Sequence, residues 1–385
     1  MVKPSGLIAV IAVIAVTAVA CAGTGGGGAE VDVRSTGDRG PSALVDPNAP
    51  GLPEPLVDTS RIISGGPPPD GIPPIDDPTF ENPASVDWLN DREPVLAISV
   101  DGDSRAYPVQ IMTWHEIAND VIGDVPVTVS YCPLCNSAIA YDRRIDGGEV
   151  LDFGTSGQLY LSALVMYDRQ TQSLWSHFTA QAIAGVLTGT TLETVPITTV
   201  AWAEWRDANP KGRVLSRDTG FSRDYGRNPY PGYDDVSTNP FLFDGEHDGR
   251  LAAKEHVIGV RDDANAVAIS NSAALDRGVI EISLGDRPLV VFKIAGTASA
   301  LDSGSVADGF DVGATGVFSP VVDGRSLQFT RAGGAFVDTE TGSSWSIFGE
   351  ATDGPLAGTQ LETYPHVDTF WFAWGAFEVN TTIVT

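Results

Sequence analysis

Asp168-Arg169-Gln170-Thr171-Gln172-Ser173-Leu174-Trp175-Ser176-His177-Phe178 returns near the C-terminus as Asp338-Thr339-Glu340-Thr341-Gly342-Ser343-Ser344-Trp345-Ser346-Ile347-Phe348. The register continues downstream. Gly185-Val186-Leu187-Thr188-Gly189-Thr190 answers to Gly354-Pro355-Leu356-Ala357-Gly358-Thr359, and Leu192-Glu193-Thr194-Val195-Pro196 to Leu361-Glu362-Thr363-Tyr364-Pro365. Trp202 and Trp205 answer to Trp371 and Trp374. Upstream, Ser137-Ala138-Ile139-Ala140-Tyr141-Asp142 aligns with Thr297-Ala298-Ser299-Ala300-Leu301-Asp302, and Phe153-Gly154-Thr155-Ser156-Gly157 with Val312-Gly313-Ala314-Thr315-Gly316. A register kept over such a span marks two tandem copies of one unit. Short β-branched and aromatic runs broken by Asp-Gly, Gly-Asp and Gly-Gly read as strands and hairpins, as in Val95-Leu96-Ala97-Ile98-Ser99-Val100 before Asp101-Gly102. Helical spacing is confined to about 111–121 and 200–208. The expected fold is therefore α+β and mainly β: two tandem β-rich repeat units with a few short helices. The first unit covers 85–215 and the second, cysteine-free, 256–385, with an aromatic inter-repeat loop at 216–255.

Ahead of the repeats, Lys3 precedes an apolar run from Leu7 to Ala20, and Ala18-Val19-Ala20 leads into Cys21. Charge, apolar stretch and small-residue cleavage site in that order read as a signal peptide over 1–20. As a helix the run reaches only about 21 Å, short of the roughly 30 Å hydrocarbon core. A cysteine at the cleavage point adds lipidation, so Cys21 is the expected lipid anchor and the chain an extracytoplasmic bacterial lipoprotein, secreted if the lipid is absent. Residues 21–84, rich in Gly and Pro, read as a tether. Its ending, Asp70-Gly71-Ile72-Pro73-Pro74-Ile75-Asp76-Asp77-Pro78, reads as an ordered arm of turn residues or a ligand loop. The net charge of -27 and pI of about 4.3 exclude nucleic acid as a partner, because phosphates would be repelled. The membrane, reached through the anchor, is the expected partner surface.

The chemistry centres on Tyr131-Cys132-Pro133-Leu134-Cys135-Asn136, where a strand delivers Cys132 and Pro133 fixes a turn. Three outcomes fit that spacing. A redox pair uses Cys132 to attack and Cys135 to resolve. A metal site for copper or zinc takes Cys132, Cys135 and a histidine, His115 or His177. A structural disulfide staples the turn, although so small a loop gains little from cross-linking. The second copy aligns Phe292 with Cys132 and Ala295 with Cys135, and keeps no cysteine. That asymmetry favours a site confined to the first copy.

His115, in Trp114-His115-Glu116-Ile117, is a surface histidine by helical spacing, yet it aligns with no histidine in Ser272-Ala273-Ala274-Leu275-Asp276 and so remains a candidate base or ligand. His177, opposite Ile347, reads as a half-buried structural histidine, and Trp175 and Trp345 as core. Tyr131, Arg223, Tyr225 and Tyr230 are candidate pocket residues, the last three in a Pro/Gly-rich loop able to close over a pocket or seal the joint between copies. No serine nucleophile elbow, phosphate loop or His-Glu-x-x-His motif occurs.

Asp70-Gly71-Ile72-Pro73, Arg105-Ala106-Tyr107-Pro108, Trp114-His115-Glu116-Ile117, Asn119-Asp120, Tyr131-Cys132-Pro133-Leu134-Cys135, Ser173-Leu174-Trp175 and the loop from Arg223 to Tyr233 together resemble the bacterial family called domain of unknown function 3179. The resemblance runs from about 65 to 260. It implies no activity by itself. Some relatives are described as selenoproteins, which directs attention to redox chemistry at the cysteine motif. Asn136 stands where relatives often carry Gly, a departure expected to matter little to the thiols. The leading expectation is a thiol/disulfide redox protein with Cys132, Cys135 and His115 at its centre and a small-molecule or protein thiol as partner. Soft-metal binding and a non-catalytic scaffold are the alternatives.

Overall fold

A hairpin of β3 (Pro94–Val100) and β4 (Asp103–Pro108) starts the first half, turning at Asp101 and Gly102, both with positive φ (49° and 81°) as a two-residue turn of this hand requires. This is a computed structural model, and it describes residues 40–332 and 334–385. The expected signal peptide, Cys21 and the part of the expected tether up to residue 39 lie outside the described residues. The described chain is mainly β with four short helices.

Two sheets share one plan. In the first, β13 (Thr198–Ala201) lies antiparallel to β3, and β14 (Arg213–Leu215) parallel to β4. In the other, β15 (His256–Arg261) and β16 (Ala266–Ser270) form the hairpin, β26 (Val367–Phe370) runs antiparallel to β15, and β27 (Thr382–Val384) parallel to β16. Helices α2 (Trp202–Ala208) and α4 (Trp371–Phe377) follow β13 and β26 and bury Trp202, Trp205, Trp371 and Trp374.

Helix α1 (Val109–His115) is shorter than the spacing over 111–121 predicts. Glu116 adopts φ 60°, which ends the helix, and β5 (Ile117–Ile122) then pairs along its whole length with β6 (Val125–Cys132). In the second half α3 (Asn271–Arg277) ends on Gly278 at φ 73°, before β17 (Val279–Leu284) and β18 (Arg287–Ile294). Ladder positions fix the equivalence: Tyr131 N donates to Glu116 O as Lys293 N donates to Gly278 O. Cys132 therefore matches Ile294, not Phe292, and His115 matches Arg277. The alignment read from sequence was displaced by two along this strand, a slip that keeps every side chain on its face and so leaves the apolar pattern intact.

A second displacement follows. β7 (Ser137–Asp142) pairs with β6 and with β12 (Thr194–Val195), whereas β19 (Ala314–Phe318) pairs with β18 and bridges from Phe318 to Thr363. The place of β7 is thus taken by β19 rather than by 297–302. The four-residue turn at 133–136 is matched by a long loop, 295–313. A short hairpin, β20 (Val321–Val322) with β21 (Arg325–Ser326), comes next.

Two further sheets carry the Asp–Trp stretch. One is β1 (Ile62–Ser64), β8 (Phe153–Tyr160), β9 (Ala163–Asp168), β10 (Leu174–Ser176) and β11 (Ala182–Ala184). The other is β22 (Phe329–Ala332), β23 (Ala335–Asp338), β24 (Ser344–Trp345) and β25 (Ala351–Asp353). Buried Asp168 accepts hydrogen bonds from Thr171, from Ser173 N and from the Trp175 indole at 3.0 Å, and Asp338 accepts the same set from Thr341, Ser343 and Trp345 at 2.9 Å. Each carboxylate is desolvated but fully bonded, which is what makes its burial tolerable.

From residue 40 onward the segment read as a tether is an arm laid on the body. Ala43 is buried, Leu44 N and Leu56 N donate to Gln172 O and Ile183 O, and β1 pairs with β8. β2 (Phe80–Glu81) extends the first sheet beside β14. Backbone pairing and apolar anchors such as Ile75 overcome the Gly/Pro composition. Residues 40–385 cluster as one compact unit, and its main core draws on both halves, Trp175 and Phe178 joining Phe370 and Trp374.

Candidate functional site

The strand β6 ends on Cys132, Pro133 and Leu134 make the turn, and Cys135 comes back against its partner. The two Sγ atoms stand 2.6 Å apart with no bond between them, so the turn holds the sulfurs where they can pair. Asn136 closes the turn at φ 49° and accepts from Tyr131 OH at 3.0 Å. A left-handed backbone there explains why glycine suits this position and why asparagine is the tolerated substitute.

Both thiols are buried, and their environments separate them. Burial pushes Cys132 up, but the Cys135 thiol and the backbone N–H groups of Cys135, Leu164 and Leu134 outweigh it and hold Cys132 below the ordinary thiol value. Burial and the developing charge on Cys132 drive Cys135 well above it. The two shifts run in opposite directions, so Cys132 is the more readily ionised of the pair and Cys135 holds its proton longer.

Behind Cys135 runs a polar chain. Ser137 Oγ lies 3.3 Å from Cys135 Sγ and 2.8 Å from His177 Nε2, while His177 Nδ1 lies 2.8 Å from Ser130 Oγ. Ser130 Oγ donates to Ile139 O at 2.9 Å, so its one proton is engaged there and His177 Nδ1 is the donor to Ser130 Oγ, leaving Nε2 to accept from Ser137 Oγ. Burial pushes His177 down to about 3, so the imidazole is neutral. His177, read from sequence as structural, is thus the histidine joined to the sulfurs.

His115 is not. It is buried rather than surface-facing, because α1 packs into the core, and its nitrogens are engaged by Pro73 O at 2.7 Å and Tyr225 OH at 2.6 Å. Burial lowers its pKa, helped by the nearby charge of Arg223. The candidate pocket residues divide accordingly. Burial first, and then neighbouring charge that includes Cys132, raises the pKa of Tyr131 and Tyr230, whereas Tyr225 and Arg223 belong to the His115 corner. Among the described residues no three His, Cys, Asp or Glu side chains converge as metal ligands, so the trio Cys132, Cys135 and His115 is not assembled.

Glu116 was missed by sequence reasoning. Its carboxyl is buried, and both burial and the charge of Cys132 push its pKa well above the usual carboxylate range. The available signal was its place beside His115 in the same motif. The turn Leu161-Ser162, between β8 and β9, is a second neighbour: φ is 54° and 65°, and Ser162 O faces Cys132 Sγ at 4.0 Å. Non-glycine residues held in this region cost free energy and cluster at functional sites.

The aromatic loop roofs the turn. Tyr233 OH donates to Leu134 O and accepts from Phe241 N, Ser162 Oγ donates to Phe241 O, and buried Lys254 Nζ donates to Tyr233 O. Loop 295–313 clasps it from the other half, where Asn228 N, Tyr233 N and Val306 N bond to Gly304, Leu301 and Gly226 carbonyls. Beneath Asn136 a cavity of about 40 Å³ lies between the halves, lined by the equivalent pairs Pro94 and His256, Tyr131 and Lys293, and Thr199 and Asp368.

The family described as "Protein of unknown function (DUF3179)" matches residues 69–381. No curated protein and no solved structure matches.

Proposed function

The chain belongs to the DUF3179 family, and we propose that it is a thiol/disulfide redox protein acting through Cys132 and Cys135. The observation that carries this reading is the polarised pair: two sulfurs 2.6 Å apart, one held below and one well above the ordinary thiol pKa. Cys132 attacks a partner disulfide and Cys135 resolves the mixed disulfide, leaving a Cys132–Cys135 bond and two reduced partner thiols. The partner is a protein or small-molecule thiol that reaches the turn when the Tyr230–Phe241 roof lifts. The protein works outside the cytoplasm, held to the membrane by a lipid on Cys21, in a compartment where disulfide partners persist.

The test is the reduction potential of the pair in the intact body, by alkylation trapping across a graded thiol series. A reversible value between about -120 and -270 mV is expected, with Cys135→Ser accumulating a mixed disulfide. A value below about -300 mV makes the pair a structural staple and ends the redox reading.

A further inference from the structure

The cysteine turn is gripped from outside the half that carries it. Leu134 O accepts from Tyr233 OH at 3.0 Å, Cys135 O accepts from Thr369 Oγ1 at 2.7 Å and from Phe370 N at 3.0 Å, and Asn136 Nδ2 stands 3.4 Å from His256 Nδ1. Thr369 and Phe370 belong to β26 and His256 to β15, so two paired strands of the second half meet the turn. Thr369, Phe370 and Cys135 are fully buried. A buried carbonyl is satisfied by one partner, which Phe370 N already supplies, so the Thr369 hydroxyl is a second donor on the same oxygen. The first half shows what the fold itself asks for at that strand position. Val200 lies opposite Val95 in β13 and β3 as Thr369 lies opposite Val257 in β26 and β15, and Val200 is buried and apolar. The second half departs from that apolar choice where its strand meets Cys135.

We infer that the second half serves as a clamp on the cysteine turn, with Thr369 the positioning residue that fixes Cys135 and so sets the equilibrium between the Cys132 and Cys135 dithiol and its disulfide. The use of that equilibrium rests on the redox reading, whereas its measurement does not. Oxidation takes two electrons from the two sulfurs and passes them, with the two thiol protons, to a partner disulfide R–S–S–R, which leaves as two RSH while the bond between Cys132 and Cys135 forms. What the protein controls in that exchange is how often Cys135 Sγ stands within reach of Cys132 Sγ, its effective concentration. A Cys135 backbone held by two donors keeps the sulfurs 2.6 Å apart, so little freedom remains to be lost when the bond closes. A turn released from Thr369 loses that freedom only on oxidation, and its disulfide is the weaker for it. Thr369 acts through the Cys135 carbonyl, and the cysteine-free half thereby contributes to a site whose sulfurs lie in the other half.

The experiment equilibrates the full-length protein with graded mixtures of reduced and oxidised dithiothreitol, alkylates the free thiols and reads the disulfide fraction by peptide mass, for the wild type, Thr369→Val, Thr369→Ala and Thr369→Ser. Thr369→Val and Thr369→Ala remove the hydroxyl and are expected to shift the equilibrium about fivefold toward the dithiol, about 20 mV at about 30 mV per tenfold. Thr369→Ser keeps the hydroxyl and is expected to stay within about twofold of the wild type. The fold already accepts valine at the matching position, Val200, so Thr369→Val is expected to fold; urea unfolding checks it, and Thr369→Ala repeats the reading with a smaller side chain. A merely structural hydroxyl would lower the urea midpoint of both redox forms alike and leave the thiol equilibrium where it was. An equilibrium unmoved in the folded Thr369→Val and Thr369→Ala proteins, or moved equally in Thr369→Ser, overturns the inference. A wild-type potential below about -300 mV with the shift present leaves the clamp standing and ends the redox function, and a wild-type potential between about -120 and -270 mV with no shift does the reverse.

Discussion

The strands β6 and β18 occupy the same ladder position against β5 and β17, yet their ends hold opposite chemistry. Where the first half has Ser130, Tyr131 and Cys132, the second has Phe292, Lys293 and Ile294. Phe292 stacks on Phe336 at 4.2 Å in an apolar cluster that includes Ile347, the residue opposite His177. The first half replaces that packing with the Ser130–His177–Ser137 chain, which gains hydrogen bonds but gives up dispersion and desolvates an imidazole. Backbone strain divides the same way. Glu116 and the Leu161-Ser162 turn are left-handed beside the thiols, while the second half uses Gly278 and Gly334 (φ 73° and 89°). The second half carries its own cost in the buried Lys293, so it is the thiol pair together with the left-handed non-glycine residues beside it that motivates the proposal of a site in the first half.

The largest expected effect tests what the halves share. Asp168→Ala and Asp338→Ala each strip a buried carboxylate from a Trp indole, a Thr and a Ser backbone N–H, and each is expected to lower the unfolding free energy by about 3 kcal/mol or more. Urea unfolding of the two variants checks this. A loss confined to one of them breaks the structural equivalence on which the comparison rests.

A smaller effect tests what only the first half has. Tyr233→Phe removes the hydroxyl that joins Leu134 O to Phe241 N, the bond between roof and cysteine turn. One hydrogen bond is worth about 1 kcal/mol, so the open population and the labelling rate of Cys132 are expected to rise roughly fivefold with little change in the urea midpoint. An unchanged labelling rate places the rate-limiting opening elsewhere.

Legibility from sequence followed the same division. The Asp168–Trp175 and Asp338–Trp345 stretches were found because an identical hydrogen-bond cage demands identical residues at identical spacing. Cys132 and Cys135 were found because thiols are rare here. The strand between them and Glu116 was misregistered by two, since a period of two cannot distinguish that slip, and the true partners Gly278 and Ile294 were hidden with it. His177 reads from sequence as half-buried and structural, and its difference from Ile347 marks the polar chain behind Cys135. His115 drew attention as a histidine, but its exposure depends on where α1 packs, a tertiary fact. The helix expected through residue 121 failed at Glu116 because a left-handed glutamate is not something propensity anticipates. The arm from residue 40 was read as tether because Gly and Pro content says nothing about whether backbone edges find partners.

The smallest effect concerns the hairpins that open the halves. In the first, Asp103 accepts from Arg105 at 3.0 Å through both oxygens, from Arg213 at 2.7 Å and from Gly123 N at 3.1 Å. The Arg105 hydrogen bonds lead in holding its pKa down at about 2, burial working against them. The matching ladder positions in the second half are Asn265 and Val267, which form no such pair. A carboxylate whose folded pKa lies below its unfolded value of about 3.9 binds fewer protons when folded, so its contribution is whole above about pH 4 and vanishes as pH falls through about 2. After allowance for solvent screening this amounts to about 1 kcal/mol. Asp103→Asn is therefore expected to be less stable than the wild type by about that amount at pH 6, with the gap closing as pH approaches 2, whereas Asn265→Ala leaves the pH dependence unchanged. Urea midpoints measured from pH 6 down to 2 decide it: a gap that persists at pH 2 assigns the loss to packing around Arg105, and no gap at pH 6 shows that the ion pairs only replace hydration of equal worth.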